Sequence, residues 1–154
     1  MTNIIKIYTD GSYSPTAQTG GWAYMINDDE GFYSKCELRR ESGRQKDPIF
    51  FEIKAIAKAL EAVPTTKIKV IVYTDSIQAV NFAHGLDGGG NEKMPDNQWA
   101  KENFERTVAN IKKLKRQLDR IQNVEVVKTR GHIGLNTKIH NKLYKFLYGK
   151  RSKH

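Results

Sequence analysis

Among its 154 residues the chain has a single cysteine, Cys36. No disulfide can form within it, and there is no cysteine set from which to expect a structural zinc site. No apolar run approaches the roughly 18 residues of a membrane span, and the first residues lack the basic-then-apolar order of a secretion signal. Negative charge is also scarce, 17 acidic side chains against 26 basic ones, for a net charge of +9. These absences lead us to expect an intracellular, cytoplasmic protein, monomeric and not bound to membrane. Its basic surface suits a polyanion, most often nucleic acid, although such a surface also serves solubility alone.

Apolar residues make up 38% of the chain and charged ones 28%, enough to bury one core in one domain. Residues 1–148 read as that domain, and 149–154, with Lys150, Arg151 and Lys153, as a disordered basic tail. Strands are expected near 3–9, 21–27 and 31–39, then a helix over 49–63 ended by Pro64, a strand over 68–74 and a short helix from Ser76 to His84. A glycine-rich loop follows. A long helix begins near Asp96–Asn97, and its apolar stripe runs through Leu114, Leu118 and Ile121. A last strand covers 124–128, and a final helix from Asn136 carries Ile139, Leu143, Phe146 and Leu147. The order β-β-β-α-β-α-α-β-α implies an α/β fold, a mixed sheet with helices packed on it.

Three acids stand out. Ile4 to Thr9 is an apolar, β-branched run ending at Asp10-Gly11-Ser12, and Val70 to Thr74 repeats that plan before Asp75-Ser76, with Tyr-Thr-Asp closing both. Glu52 interrupts the apolar stripe of the first helix. Each has a structural alternative: Asp10 as a turn former, Asp75-Ser76 as a helix cap, and Glu52 as an exposed helix residue. Taken together, two strand-end aspartates and one helix glutamate can meet at one edge of a sheet. Carboxylates so crowded repel one another unless a hard divalent metal neutralises them.

The ordered set Tyr-Thr-Asp10-Gly-Ser, Gly20-Gly21-Trp22-Ala23, Glu52, Tyr-Thr-Asp75-Ser and Gly131-His132-x-Gly134 resembles the type 1 ribonuclease H family, which is shared with the nuclease domain of reverse transcriptases. The resemblance covers nearly the whole chain. It implies a ribonuclease H-like fold with a five-stranded mixed sheet flanked by helices, and metal-dependent hydrolysis of the RNA strand of RNA–DNA hybrids. Two Mg²⁺ ions, with Mn²⁺ as a substitute, would lie roughly 3.5–4 Å apart. By resemblance Asp10 bridges both ions, Glu52 and Asp75 hold the one nearer the leaving group, and His132 moves a proton or assists product release. His84 and His140 have no comparable context and are read as structural.

The chain departs from the family in two places. The family's Gly-Asn-Glu-x-Ala-Asp-x-Leu pattern supplies a fourth carboxylate, and aligning on Leu143 puts Asn141 at that place, a neutral ligand where an acid is usual. Asn141 marks either a weakened metal site or a degraded module that only binds hybrid or double-stranded RNA. Pro48-Ile49 stand where the family often has asparagines that touch the hybrid, so contacts to ribose hydroxyls fall to Gly11, Ser12, Ser76, Gln78 and Asn81. Trp99 is a candidate stacking residue, with core packing as its alternative. Lys112, Lys113, Lys115 and Arg116 are the candidate phosphate contacts.

Overall fold

The computed structural model describes residues 4–14, 16–28, 34–42, 48–64, 68–84, 98–121, 123–129 and 135–149. Its strands are β1 (Ile4–Ser14), β2 (Thr19–Asp28), β3 (Ser34–Ser42), β4 (Lys69–Thr74) and β5 (Val124–Lys128). The helices are α1 (Pro48–Glu61), α2 (Ile77–His84), α3 (Gln98–Ile121) and α4 (Leu135–Tyr148). One five-stranded sheet has the order β3-β2-β1-β4-β5. β1 pairs antiparallel with β2, and β2 with β3, while β4 runs parallel to both β1 and β5. The mixed sheet expected from the sequence is present. Among the described residues no helix is long and apolar enough to cross a membrane.

The period-two alternation of a strand divides the core between the two sheet faces. Ile5 and Ile7 of β1, with Trp22, Tyr24 and Ile26 of β2, join the cluster built on Phe51, Ile53, Ile56 and Leu60 of α1, which also includes Leu114 and Ile121 of α3. Tyr8, Ala23 and Met25 lie on the other face with Ile139, Leu143 and Leu147 of α4. Phe146 does not join the core as its place in the α4 stripe suggested. It is 44% exposed, with the Arg40 guanidinium 5.2 Å from its ring centroid. Gly149 ends α4 with φ +71°, and its N–H donates to the Lys145 carbonyl at 2.8 Å, as a left-handed C-terminal cap does.

β1 does not end at Asp10. It continues to Ser14, with Asp10 opposite Ala23, Gly11 opposite Trp22 and Ser12 opposite Gly21, so the Asp10-Gly11-Ser12 turn expected from the sequence is absent. The reason lies in the two edges of β1. Pairing with β4 stops at Tyr8–Tyr73, whereas the antiparallel ladder to β2 runs on past Gly20 and Gly21. Asp10 thus stands just beyond the point where β1 and β4 part.

Gly11 sets how closely α1 approaches this point. A Cβ at Gly11 would overlap the backbone of Phe51 and Glu52, which only a shift of the whole helix can relieve. Gly11→Ala is expected to lower unfolding stability by about 1–3 kcal/mol, the usual cost of overpacking. Urea denaturation of the two proteins measures it.

Candidate metal centre

The repeated Tyr-Thr-Asp triplet has a geometrical meaning in this sheet. β1 and β4 are parallel and in register at Tyr8–Tyr73, so identical triplets run side by side and deliver Asp10 and Asp75 to the same edge. The two tyrosine rings stack at 5.1 Å, and the Thr9 hydroxyl donates to the Tyr73 carbonyl at 3.4 Å. Asp10 follows as the last pairing is lost, and Asp75 as β4 ends. The capping role weighed for Asp75-Ser76 falls to Ser76, whose Oγ accepts from the Ala79 N–H at 3.2 Å. Asp75 is left to face the cluster.

Glu52 arrives from α1 and is held on both carboxylate oxygens. The Gly11 N–H donates to Oε1 at 2.9 Å and the Thr74 hydroxyl to Oε2 at 3.3 Å; Thr74 Oγ1 in turn accepts from the Ser76 N–H at 3.2 Å. Asp10 and Glu52 are buried, 4% and 6% exposed, and Asp75 is half-buried. One ligand oxygen from each lies within 4.8 Å of the others. Burial, followed by the charges of Asp10 and Asp75, pushes the Glu52 carboxyl well above the usual carboxylate range. A donor set of crowded oxygens on a fixed frame, with one acid forced toward its neutral form, fits a hard divalent cation that restores the charged form.

On α4 the side chain that meets Asp10 is that of His140, a residue expected from the sequence to be structural. His140 Nδ1 lies 2.9 Å from Asp10 Oδ2, and the hydrogen bond to Asp10 raises the imidazole pKa above its ordinary value against the opposing effect of burial. Helical phase accounts for the contact. Asn136, Ile139, Leu143 and Leu147 form the buried face of α4, and His140 borders that face, whereas Asn141 lies about 100° further round. The Asn141 Oδ1 is buried without a hydrogen-bond partner among the described residues. Two signals in the sequence pointed to His140: its phase with Ile139 and Leu143, and its spacing of four from Asn136, whose side-chain amide donates to the Tyr73 carbonyl at 3.4 Å.

A cleft of about 740 Å³ lies between the β1–β2 connection and the end of α4, beginning at Ser12, two residues along β1 from Asp10. Ser12, Thr16, Thr19, Tyr144 and Tyr148 give it a lining rich in hydroxyl groups. Ser12 Oγ and the Tyr148 hydroxyl lie 3.0 Å apart, and Tyr144 and Tyr148 meet edge to face at 4.7 Å. Sequence reasoning named Ser12 and missed both tyrosines, which share a helix face with His140 at steps of four. Of the other expected residues, Lys112, Lys115 and Arg116 are exposed on α3 and Lys113 is half-buried. Asn110, two residues before Lys112, donates to the Phe50 carbonyl at 3.2 Å, which ties the middle of α3 to the start of α1, the helix that carries Glu52. His132 lies outside the described residues, as do the side chains of Gln78, Asn81 and Trp99.

The raised Glu52 pKa has a consequence for stability. A group whose pKa is higher in the folded state contributes stability at low pH and loses it as pH rises through the folded value. Metal-free wild type is therefore expected to melt at a lower temperature as pH rises above the usual carboxylate range. Glu52→Gln removes that loss, so the metal-free variant melts higher than wild type at about pH 8. A divalent cation should raise the melting temperature of the wild type more than that of the variant. Calorimetry with EDTA and with added metal reads all three.

Comparison with known proteins agrees with this geometry. The RNase H family model matches residues 2–143. Over 132 residues the chain is 30% identical to a ribonuclease H of Syntrophomonas wolfei, which covers 84% of this chain and 85% of that one. A 62-residue stretch, 38% of this chain and 36% of its relative, is 42% identical to a ribonuclease H of Treponema denticola. Among solved structures, LC9-RNase H1, described as a type 1 RNase H with the type 2 active-site motif, superposes with a TM-score of 0.70 at 17% identity. The match covers 99% of this chain and 76% of that one, a likeness of fold. The five-stranded mixed sheet, the acids where β1 and β4 part, and a family match along almost the whole sequence agree: the chain belongs to the RNase H family.

Proposed function

We propose that this protein is an endonuclease that hydrolyses the RNA strand of RNA–DNA hybrids at a divalent-metal centre on Asp10, Glu52 and Asp75. The observation that carries this reading is the convergence of those three carboxylates within 4.8 Å. The chemistry supplied by two bound divalent ions, Mg²⁺ or Mn²⁺, is activation of the attacking water and stabilisation of the departing oxygen. Asp10, buried in the same cluster as Glu52 and Asp75, would be shared by both ions. Glu52 is locked by the Gly11 N–H and the Thr74 hydroxyl, so its oxygens stay aimed at the centre between turnovers.

The substrate follows from the surroundings of the acids. The neutral cleft lined by hydroxyl groups begins at Ser12, two residues from Asp10, and suits a ribose strand that offers hydroxyl groups and base faces. Burial raises the Tyr148 pKa, so its hydroxyl remains a neutral hydrogen-bonding group at physiological pH. Lys112, Lys115 and Arg116, exposed on α3, supply phosphate contacts for the rest of the duplex.

Cleavage assays on labelled hybrid, duplex RNA and duplex DNA with Mg²⁺, Mn²⁺ or EDTA test the reading. The expected outcome is cutting of the hybrid RNA strand alone, abolished by EDTA. Asp10→Asn should lose cleavage while keeping the fold and hybrid binding, and a variant that cuts at near wild-type rate would remove the acids from the chemistry. Hybrid affinity should fall with salt. Combining Lys112→Ala with Lys115→Ala should flatten the logarithmic slope by roughly 1.4–1.8, about 0.7–0.9 for each lost phosphate contact. An unchanged slope means that α3 faces away from the duplex.

A further inference from the structure

Three features lie outside the acid triad itself: the tyrosine-lined cleft, the exposed Phe146 under Arg40, and the imidazole against Asp10. The third carries an inference furthest, and it rests on the metal-dependent reading above. We infer that His140 is a direct ligand of the cation at Asp10 through Nδ1, so that the centre has a mixed nitrogen–oxygen donor set.

The distance between the two donor atoms supports this. In an octahedral site with ligands at about 2.0–2.1 Å, neighbouring donors lie about 2.9 Å apart. His140 Nδ1 and Asp10 Oδ2 already stand 2.9 Å apart, so an ion can take up both with no separation of the elements that carry them. The imidazole is also held in place. Its side chain is 14% exposed and that of Asp10 5%, Ile139 beside it is fully buried, and the Tyr144 ring packs at 6.0 Å on its outer side.

Charge and softness give the consequence. Asp10, Glu52 and Asp75 bring three negative charges, and a neutral imidazole adds a donor without a fourth. Carboxylate oxygens suit Mg²⁺, whereas imidazole favours transition metals. His140 therefore shifts the relative affinity of the centre from Mg²⁺ toward Mn²⁺ and the later divalent ions. The alternative is that His140 only orients Asp10 by a hydrogen bond and never touches metal, a common arrangement around metal sites.

Pulsed EPR on the Mn²⁺-loaded protein separates the two, because only a directly bound imidazole nitrogen couples strongly to the ion's electron spin. Wild type labelled with ¹⁵N-histidine should show that coupling, His140→Gln should lose it, and His132→Gln should keep it. Calorimetric titration should find that His140→Gln weakens Mn²⁺ affinity more than Mg²⁺ affinity, as loss of a nitrogen donor does. His140→Asp, which restores an oxygen donor, should bind Mg²⁺ more tightly relative to Mn²⁺ than wild type does. A thermal melt of each metal-free variant establishes that it is folded. Mn²⁺ that binds wild type without nitrogen coupling, or coupling that survives in His140→Gln, overturns the ligand assignment and leaves the acid centre standing. Mn²⁺ binding that Asp10→Asn does not weaken overturns the centre itself.

Discussion

Three carboxylates held within 4.8 Å of one another, two of them buried, are the constraint on which the rest of this structure depends. Left to themselves they repel, and the Glu52 pKa is raised first by burial and then by that repulsion. Such an arrangement persists only where the surrounding fold is firm enough to resist relaxation. Here the firmness comes from backbone. A strand amide holds one oxygen of Glu52, and a threonine hydroxyl, itself fixed by the Ser76 amide, holds the other. A bound dication turns the same crowding from a cost into a binding site.

The sheet supplies the convergence. A parallel pair in register places like residues beside like, so repetition of one short triplet is enough to bring two aspartates together. The absence of a side chain at Gly11 lets α1 come close enough for Glu52 to complete the set. From the opposite sheet face α4 brings His140 to Asp10, and its next two turns carry Tyr144 and Tyr148 along the cleft. One strand thus donates a hydrogen bond to Glu52 of one helix and shares one between Asp10 and His140 of another, the two helices packing on opposite faces of the sheet.

Much of this was legible beforehand because its causes are local. The apolar runs before Asp10 and Asp75, the stripe interrupted by Glu52 and the Pro64 stop read correctly as strands and helix. The misreadings share one origin. Asp10-Gly11-Ser12 has turn composition, yet a neighbouring strand with two glycines kept β1 extended through it. His140 reads as structural when alignment on Leu143 draws attention to Asn141, although the phase of α4 turns His140 toward Asp10. Phe146 has the apolarity of a core residue, yet it lies beneath Arg40 at the surface.

The sequence by itself determined which chemical groups were present and which elements carried them. Hydrophobic periodicity and backbone preference act over a few residues, and the acids stand in or beside elements that those patterns locate. The tertiary structure decided which of those groups meet. Whether two strands align in parallel at Tyr8 and Tyr73, how near α1 lies to Gly11, and whether residue 140 or 141 faces Asp10 depend on contacts between segments 41 to 130 residues apart in the chain. A helix turns about 100° at each residue, so a shift of one position in α4 exchanges an imidazole for an amide at the centre. The phase of Ile139 and Leu143 points toward His140, and packing against β1 makes the contact with Asp10.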